Sequence, residues 1–226
     1  MSGERTVLVC DDELQIVRAL RLLLRDAGFR VEAAASAQEA LDRAALHPPD
    51  AAIIDLVLPD GDGVEVTRSL REWTKVPIIV LSAVGDEDAK VRALQAGADD
   101  YVTKPFGARE LIARLEAALR RVGATAEGPA IAIGGLSIDI ADRSVRLRGE
   151  EVHLTPTEFD LLAVLARNRG RLMTHPALLR EVWGTSWTED TGVLRAHVAN
   201  LRRKIEPAGA PRLIRTEPGV GYRMTG

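Results

Sequence analysis

With 226 residues, 46% of them hydrophobic and 28% charged, the chain has room for two modest domains and falls outside the disordered and fibrous classes. Its single cysteine, Cys10, makes neither a disulfide nor a zinc site within the chain, and inside an apolar run it reads as a small buried side chain. A net charge of -3 argues against a uniformly basic nucleic-acid binder, and the lack of a long apolar run or a charged-then-apolar leader sets the expectation of a cytoplasmic protein with no membrane partner.

Strand-like runs and helical patterns alternate from the start: Thr6–Cys10, Leu14–Ala27, Arg30–Ala34, Ala37–His47, Ala51–Asp55, Gly63–Trp73, Ile78–Ser82, Glu87–Ala96, Tyr101–Thr103 and Ala108–Arg121. Strict alternation calls for a parallel sheet with helices on both faces. After Arg121 the pattern breaks, and the small, Gly- and Pro-containing segment 122–130 reads as an interdomain linker between domains at 1–121 and 131–226. Beyond it, Ile131–Ile133, Leu136–Ile140, Ser144–Leu147 and Glu151–Leu154 read as short strands. Thr155-Pro-Thr-Glu158 is a capping box that opens a helix to about Asn168. Thr174 caps a second helix through Trp183, and a third runs from Asp190 to Ile205 with Leu194, Val198, Leu201 and Ile205 on one face. A final strand pair, Leu213–Thr216 and Tyr222–Met224, encloses a tip with two glycines.

The chemistry collects at the carboxyl ends of the first-domain strands, the edge where open α/β sheets bind ligands. Asp55 ends the strand Ala51–Asp55, and Asp11 and Asp12 follow the first strand, its neighbour in a doubly wound sheet of order 2-1-3-4-5. Three converging carboxylates repel, and an all-oxygen set of this kind suits Mg²⁺ or another hard divalent ion. Taken one at a time, the same residues are an ordinary turn aspartate and ordinary acids at a helix start. Lys104 ends the fifth strand and supplies positive charge to a phosphoryl group, and Ser82 ends the fourth and supplies a hydroxyl. With no second nucleophile in sight, the set points to phosphoryl transfer onto the carboxylate itself. A phosphatase built on Asp55 needs a second acid two residues on, where Val57 stands, and a Rossmann nucleotide site needs a Gly-rich loop after the first strand.

Asp11-Asp12, Ile54-Asp55, Leu58-Pro-Asp-Gly61, Ser82-Ala83, Gly97-Ala-Asp-Asp-Tyr101 and Lys104-Pro-Phe106 together resemble the receiver domain of bacterial two-component response regulators. The resemblance implies a flavodoxin-like (βα)5 fold, Asp55 as phosphoacceptor and a chain that is not an enzyme in its own right, although it can hydrolyse its own acyl phosphate. It also implies Mg²⁺ bound by Asp12, Asp55 and the main-chain carbonyl of Val57, with Asp11 acting mainly one layer further out. Lys104, before a cis proline, would contact the phosphoryl group. Ser82 and Tyr101 would form a switch pair, the ring turning into space vacated behind the serine. Lys90, Asp99, Asp100, Glu110, Arg114 and Arg121 match the salt-bridge network through which receivers of the OmpR/PhoB group dimerise when phosphorylated, or are an ordinary solvated face.

The second domain, with Leu154-Thr-Pro-Thr-Glu-Phe159 and Gly219-Val-Gly-Tyr-Arg223, resembles the winged-helix effector of that group, a small α+β domain that binds promoter double-stranded DNA. On its third helix the face opposite the leucines carries Gly192, Ala196, Ala199, Asn200 and Arg203, flanked by Arg195, His197, Arg202 and Lys204. Small residues allow close approach to the major groove, Asn and Arg suit base edges, and cations suit phosphates. Arg215, Thr216 and Arg223 on the hairpin add minor-groove or backbone contacts. The loop Gly184–Glu189, with Trp187, corresponds to the segment that meets RNA polymerase. Leu58-Pro-Asp-Gly-Asp-Gly63, Arg71-Glu-Trp73 and Glu181-Val-Trp-Gly184 look most like the branch that controls potassium-transport (kdp-type) genes, which implies a KdpD-like sensor histidine kinase as partner. A different regulon, or a receiver that docks without phosphotransfer, is the alternative.

Overall fold

A computed structural model of the chain describes residues 4–83, 86–123, 130–184, 191–207 and 212–225, which form two compact units, Met1–Val122 and Gly123–Gly226. In the first, β1 (Thr6–Cys10), α1 (Leu14–Asp26), β2 (Arg30–Ala34), α2 (Ala37–Leu46) and β3 (Ala51–Asp55) are followed by a hairpin of two-residue strands, β4 (Val57–Leu58) and β5 (Gly61–Asp62). Next come α3 (Gly63–Trp73), β6 (Ile78–Ala83), α4 (Glu87–Ala96), β7 (Asp100–Lys104) and α5 (Ala108–Gly123). The large sheet is parallel in the order β2-β1-β3-β6-β7, which is 2-1-3-4-5 when its own strands alone are counted. The β4–β5 hairpin is an addition to the expected elements. α5 reaches Gly123, so the segment read as a linker begins inside a helix; its residues 124–129 lie outside the described residues.

β3 is buried along its whole length, as are Val7–Cys10 and Ile78–Ser82, which is why these strands read as continuous apolar runs instead of alternating ones. Val17, Leu20 and Leu24 turn one stripe of α1 inward, and Leu20 and Leu24 meet Val7, Val9, Ile53, Leu111 and Leu115 in one cluster. Register then positions the chemistry. Cys10 pairs with Ile54, Asp55 with Leu81, and Ala83 with Lys104, so the polar residues leave the sheet at one edge. Cys10 itself is fully buried. Its Sγ donates to the Ser36 carbonyl at 3.4 Å, and burial, reinforced by Asp11 and Asp60, pushes the thiol pKa up to about 12.

The second unit opens with an antiparallel meander, β8 (Ile131–Ile133), β9 (Leu136–Asp139), β10 (Ser144–Leu147) and β11 (Glu150–Glu151). Three helices follow, α6 (Pro156–Arg167), α7 (His175–Trp183) and α8 (Thr191–Ile205), then the hairpin β13 (Ile214–Glu217) and β14 (Gly221–Met224). The Thr155 hydroxyl accepts from the Glu158 amide at 3.3 Å, and the Glu158 carboxylate accepts from the Thr155 amide at 2.9 Å, so the capping box is complete. A strand absent from the sequence reading, β12 (Leu172–Thr174), pairs with β14 and makes the wing three-stranded in the order β12-β14-β13. Its approach is possible because residue 221 is glycine: a Cβ there would lie 1.9 Å from the Met173 carbonyl oxygen. Three helices with a β-hairpin wing make this unit a winged helix.

Candidate functional site

At the sheet edge Asp11, Asp12 and Asp55 bring one carboxylate oxygen each within 4.8 Å of one another. Asp11 and Asp55 are buried and Asp12 is exposed, which leaves the cluster one open side. Lys104 Nζ donates to Asp11 Oδ2 and Asp55 Oδ2, each at 2.8 Å, and reaches Glu13 Oε1 at 3.4 Å. Burial lifts the Asp55 pKa above the ordinary aspartate value, Lys104 opposes the rise and Asp11 adds to it. Partial burial works against the Lys104 charge, but its bonds to Asp11 and Asp55 outweigh that and hold its pKa above the usual lysine value. Lys104-Pro105 is a cis peptide bond. A compact all-oxygen donor set whose repulsion a single lysine only partly answers is chemically suited to a hard divalent cation.

The segment after Asp55 is shaped to hold this carboxylate in place. Val57 donates its amide to the Asp55 side chain, while its own side chain faces solvent. Gly63 starts α3 against the Asp55 backbone: a Cβ there would lie 2.0 Å from the Asp55 carbonyl oxygen, and the Gly63 amide donates to the Leu56 carbonyl at 2.9 Å. Asp60 accepts from the Ala37 and Gln38 amides at 2.7 and 3.0 Å, tying the hairpin to the start of α2. In the sequence Gly63 was visible as the first residue of the helical pattern Gly63–Trp73 but not as a contact with Asp55; the signal for that role is a glycine at the first position of a helix.

Ser82 is buried, and among the described residues its Oγ has no hydrogen-bond partner, so it keeps an unused donor near the cluster. Tyr101 is already buried, with Lys90 Nζ 5.0 Å from its ring centroid. The other charges of this face are engaged inside the chain. Lys90 pairs with Glu87 at 2.8 Å, and Arg114 pairs with Glu110 at 2.6 Å and Asp100 at 3.3 Å. Burial pushes the Asp100 carboxyl up to about 6 against the pull of Arg114 and Arg121. Arg121 is itself buried. Asp99, also expected at the interface, is the most deeply buried of these charges. It is 0% exposed, and its carboxylate accepts from the Ile78 amide and from Arg71, whose guanidinium also bonds the Gly97 and Val76 carbonyls. Within the single chain it fastens α3 to the sheet.

On α8 the residues expected to meet DNA divide in two. Gly192, Arg195, Ala199 and Arg203 are exposed and Ala196 half-buried, at helical spacing on one face. His197 and Asn200 are 1% and 2% exposed, which corrects the assignment of Asn200 to that face and of His197 to its flank. His197 packs its ring 5.4 Å from that of Trp183, and Asn200 Oδ1 accepts from Arg203 at 3.0 Å. Both fall on the inward side with Leu194, Val198 and Leu201, so helical position prevails over polar identity. Lys204 pairs with Glu158 at 2.6 Å, and Arg202 donates to the wing. In the hairpin Arg215 pairs with Arg223 and Thr216 with Tyr222, which puts the arginines on one face and Thr216 on the other. Thr216 receives Arg202, so that face is turned toward α8; Arg223 turns back to the Gly170 carbonyl and Glu217, and Arg215 is exposed. Gly184 ends α7, and residues 185–190, including Trp187, lie outside the described residues. Among the described residues no helix is long and apolar enough to cross a membrane.

Comparison with known proteins covers both units. Residues 7–116 match the response regulator receiver domain, and residues 149–224 match the C-terminal domain of transcriptional regulatory proteins. The transcriptional regulatory protein KdpE of Mycobacterium tuberculosis is 51% identical over 221 residues, 96% of this chain and 98% of that protein. The KDP operon transcriptional regulatory protein KdpE of Escherichia coli K12 is 49% identical over 220 residues, with the same two coverages. Among solved structures, a RitR mutant aligns with TM-score 0.79 at 27% identity over 97% of this chain and 98% of that one. DrrB of Thermotoga maritima, an OmpR/PhoB homolog, aligns with TM-score 0.53 at 31% identity over 99% of this chain and all of that one.

Proposed function

The chain belongs to the two-component response regulators with an OmpR/PhoB-type DNA-binding effector domain, and on that premise we propose that phosphorylation of Asp55 sets its DNA binding. The donor is a KdpD-like sensor histidine kinase, and the genes are potassium-transport genes of the kdp type, in keeping with the KdpE relatives. The working parts are a receiver at 1–121, a linker at 122–130 and an effector at 131–226, acting in the cytoplasm. The observation that carries the reading is the convergence of Lys104 on Asp11 and Asp55 beside an open Asp12.

An ionised Asp55 oxygen attacks phosphorus in line with the departing imidazole nitrogen of the kinase phosphohistidine. The P–N bond breaks, and its electron pair stays with the ring, which takes up a proton. Asp12, Asp55 and the Val57 carbonyl, with Asp11 further out, would hold Mg²⁺, which supplies positive charge to the phosphoryl oxygens. Lys104 moves from a carboxylate partner to a phosphoryl oxygen, and the Ser82 hydroxyl turns to another. Each already stands at the sheet edge, so the protein need only redirect donors it has placed. Movement at Ser82 and Tyr101 is passed to α4, β7 and α5, where Lys90, Asp100, Glu110, Arg114 and Arg121 exchange internal partners for those of a second copy. The dimer then sets two α8 helices on adjacent half-sites, with RNA polymerase as the further partner.

The test is binding to the promoter regions nearest its own gene and to a potassium-transporter promoter, with and without acetyl phosphate and Mg²⁺, using Asp55→Ala as control. Tighter binding on phosphorylation, lost in the control, is expected. Equal binding by all samples would remove the phosphoryl switch from the reading.

A further inference from the structure

Arg202 was expected to meet DNA, but its guanidinium is held by the wing. Nη2 donates to the Ile214 carbonyl at 2.8 Å and to Thr216 Oγ1 at 2.8 Å, Nε donates to the same carbonyl at 3.3 Å, and the group lies 5.7 Å from the Tyr222 ring centroid. One turn on, just past the end of α8, Glu206 Oε1 accepts from the Leu213 and Ile214 amides at 2.9 and 2.7 Å. The two side chains therefore take both the N–H and the C=O of Ile214. That residue sits in β13, the outer strand of the wing sheet, whose far edge has no strand neighbour among the described residues. Ile214 is fully buried, so its outward amide and carbonyl need partners, and α8 supplies them.

We propose that Arg202 and Glu206 are positioning residues for DNA recognition: they clasp the edge of β13 and fix the wing against α8, and neither is committed to DNA. The inference rests on the effector's reading of DNA. A winged helix binds with a helix and a hairpin together, so its affinity for a specific site depends on the two meeting the duplex at a set angle. A residue that sets this angle differs from one that neutralises a phosphate in two measurable ways. It leaves the salt dependence of binding intact, and its loss reduces specific binding more than non-specific binding.

The experiment uses the full chain, a duplex enriched from a random pool by the unsubstituted protein, and a scrambled duplex of equal length. Glu206→Ala and Glu206→Gln remove the same negative charge, but only Gln keeps an acceptor for the Ile214 amide. Electrostatics alone makes both bind DNA more tightly. The clasp predicts that Glu206→Ala binds the enriched duplex about tenfold more weakly than Glu206→Gln, with the scrambled duplex bound alike. Arg202→Gln is expected to weaken specific binding about tenfold with the slope of log K against log salt unchanged, whereas Arg203→Gln lowers that slope by about 0.9. Equal binding by the two Glu206 variants, or a slope loss in Arg202→Gln matching that of Arg203→Gln, overturns the proposal. Amide hydrogen exchange without DNA tests the clasp itself. Ile214 should exchange about tenfold faster in Glu206→Ala than in the unsubstituted protein, with the Tyr222 amide unchanged as a check on folding. An unaltered Ile214 rate means there is no clasp. Failure of the pool to yield any preferred sequence would instead count against DNA reading, and the exchange result would still decide the clasp.

Discussion

The receiver pocket and the C-terminal half of α8 are both dense in charge and use it in opposite ways. In the pocket, three carboxylates gather with a single lysine at one point, and on a neighbouring strand the buried Ser82 hydroxyl has no hydrogen-bond partner among the described residues. On α8 the cations at 202 and 204 are half-buried on acceptors of other elements, the wing and α6, whereas Arg195 and Arg203 are exposed and, among the described residues, bond only neighbours on α8 itself, Thr191 and Asn200. A cluster that compensates itself poorly is arranged for a ligand; one that compensates itself well is arranged for rigidity. Counting cations along a helix therefore overstates what it offers to a phosphate backbone.

That contrast can be broken most severely at Gly63. A methyl group there meets the Asp55 carbonyl, and because backbone cannot give way cheaply, Gly63→Ala should destabilise the first unit by more than about 4 kcal/mol. Urea unfolding followed in the isolated variant and parent checks it; a loss below about 1 kcal/mol would mean that the α3 start moves freely.

Asp100 tests the same contrast at a buried acid that is paired inside the receiver. Its carboxyl rises from 3.8 to about 6, so between those values the folded chain holds a proton that the unfolded chain has released. Its contribution is therefore most favourable below about pH 4 and is lost as pH rises to about 6, a fall of about 3 kcal/mol. Asp100→Asn should abolish that fall, and parallel stability curves for parent and variant over pH 4 to 7 would contradict it. The smallest effect sharpens the pocket's side. Mg²⁺ at roughly thirtyfold excess over its Kd should stabilise the parent by about 2 kcal/mol, and Asp12→Ala, which removes the exposed ligand, should lose the response. A thermal shift retained in Asp12→Ala would place the ion elsewhere.

Much of this was legible without coordinates. The five sheet strands follow from alternation and apolar runs, because strands such as Ala51–Asp55 are buried on both faces, and their order followed from the resemblance to receiver domains. The pocket followed from polar residues at strand ends, because register in a parallel sheet brings such ends together. Short elements escaped: strands of two or three residues such as Val57–Leu58 and Leu172–Thr174 have no periodicity, and they exist only through their partners. His197 and Asn200 were misplaced because their polarity outweighed a helical position next to Leu194, Val198 and Leu201. The Arg202 bond to Ile214 spans twelve residues and depends on how the chain returns after α8, which no local pattern specifies.

Cys10 carries a last consequence. Its sulfur lies at the end of β1 beside the acid cluster, and with a pKa near 12 almost none of it is thiolate in the folded protein at neutral pH. An alkylating reagent can then modify the chain only in molecules whose β1 has momentarily left the sheet. The single cysteine is thus a clock built into the receiver: its labelling rate counts openings at the first strand, and any ligand of the acid cluster that steadies this edge should slow it.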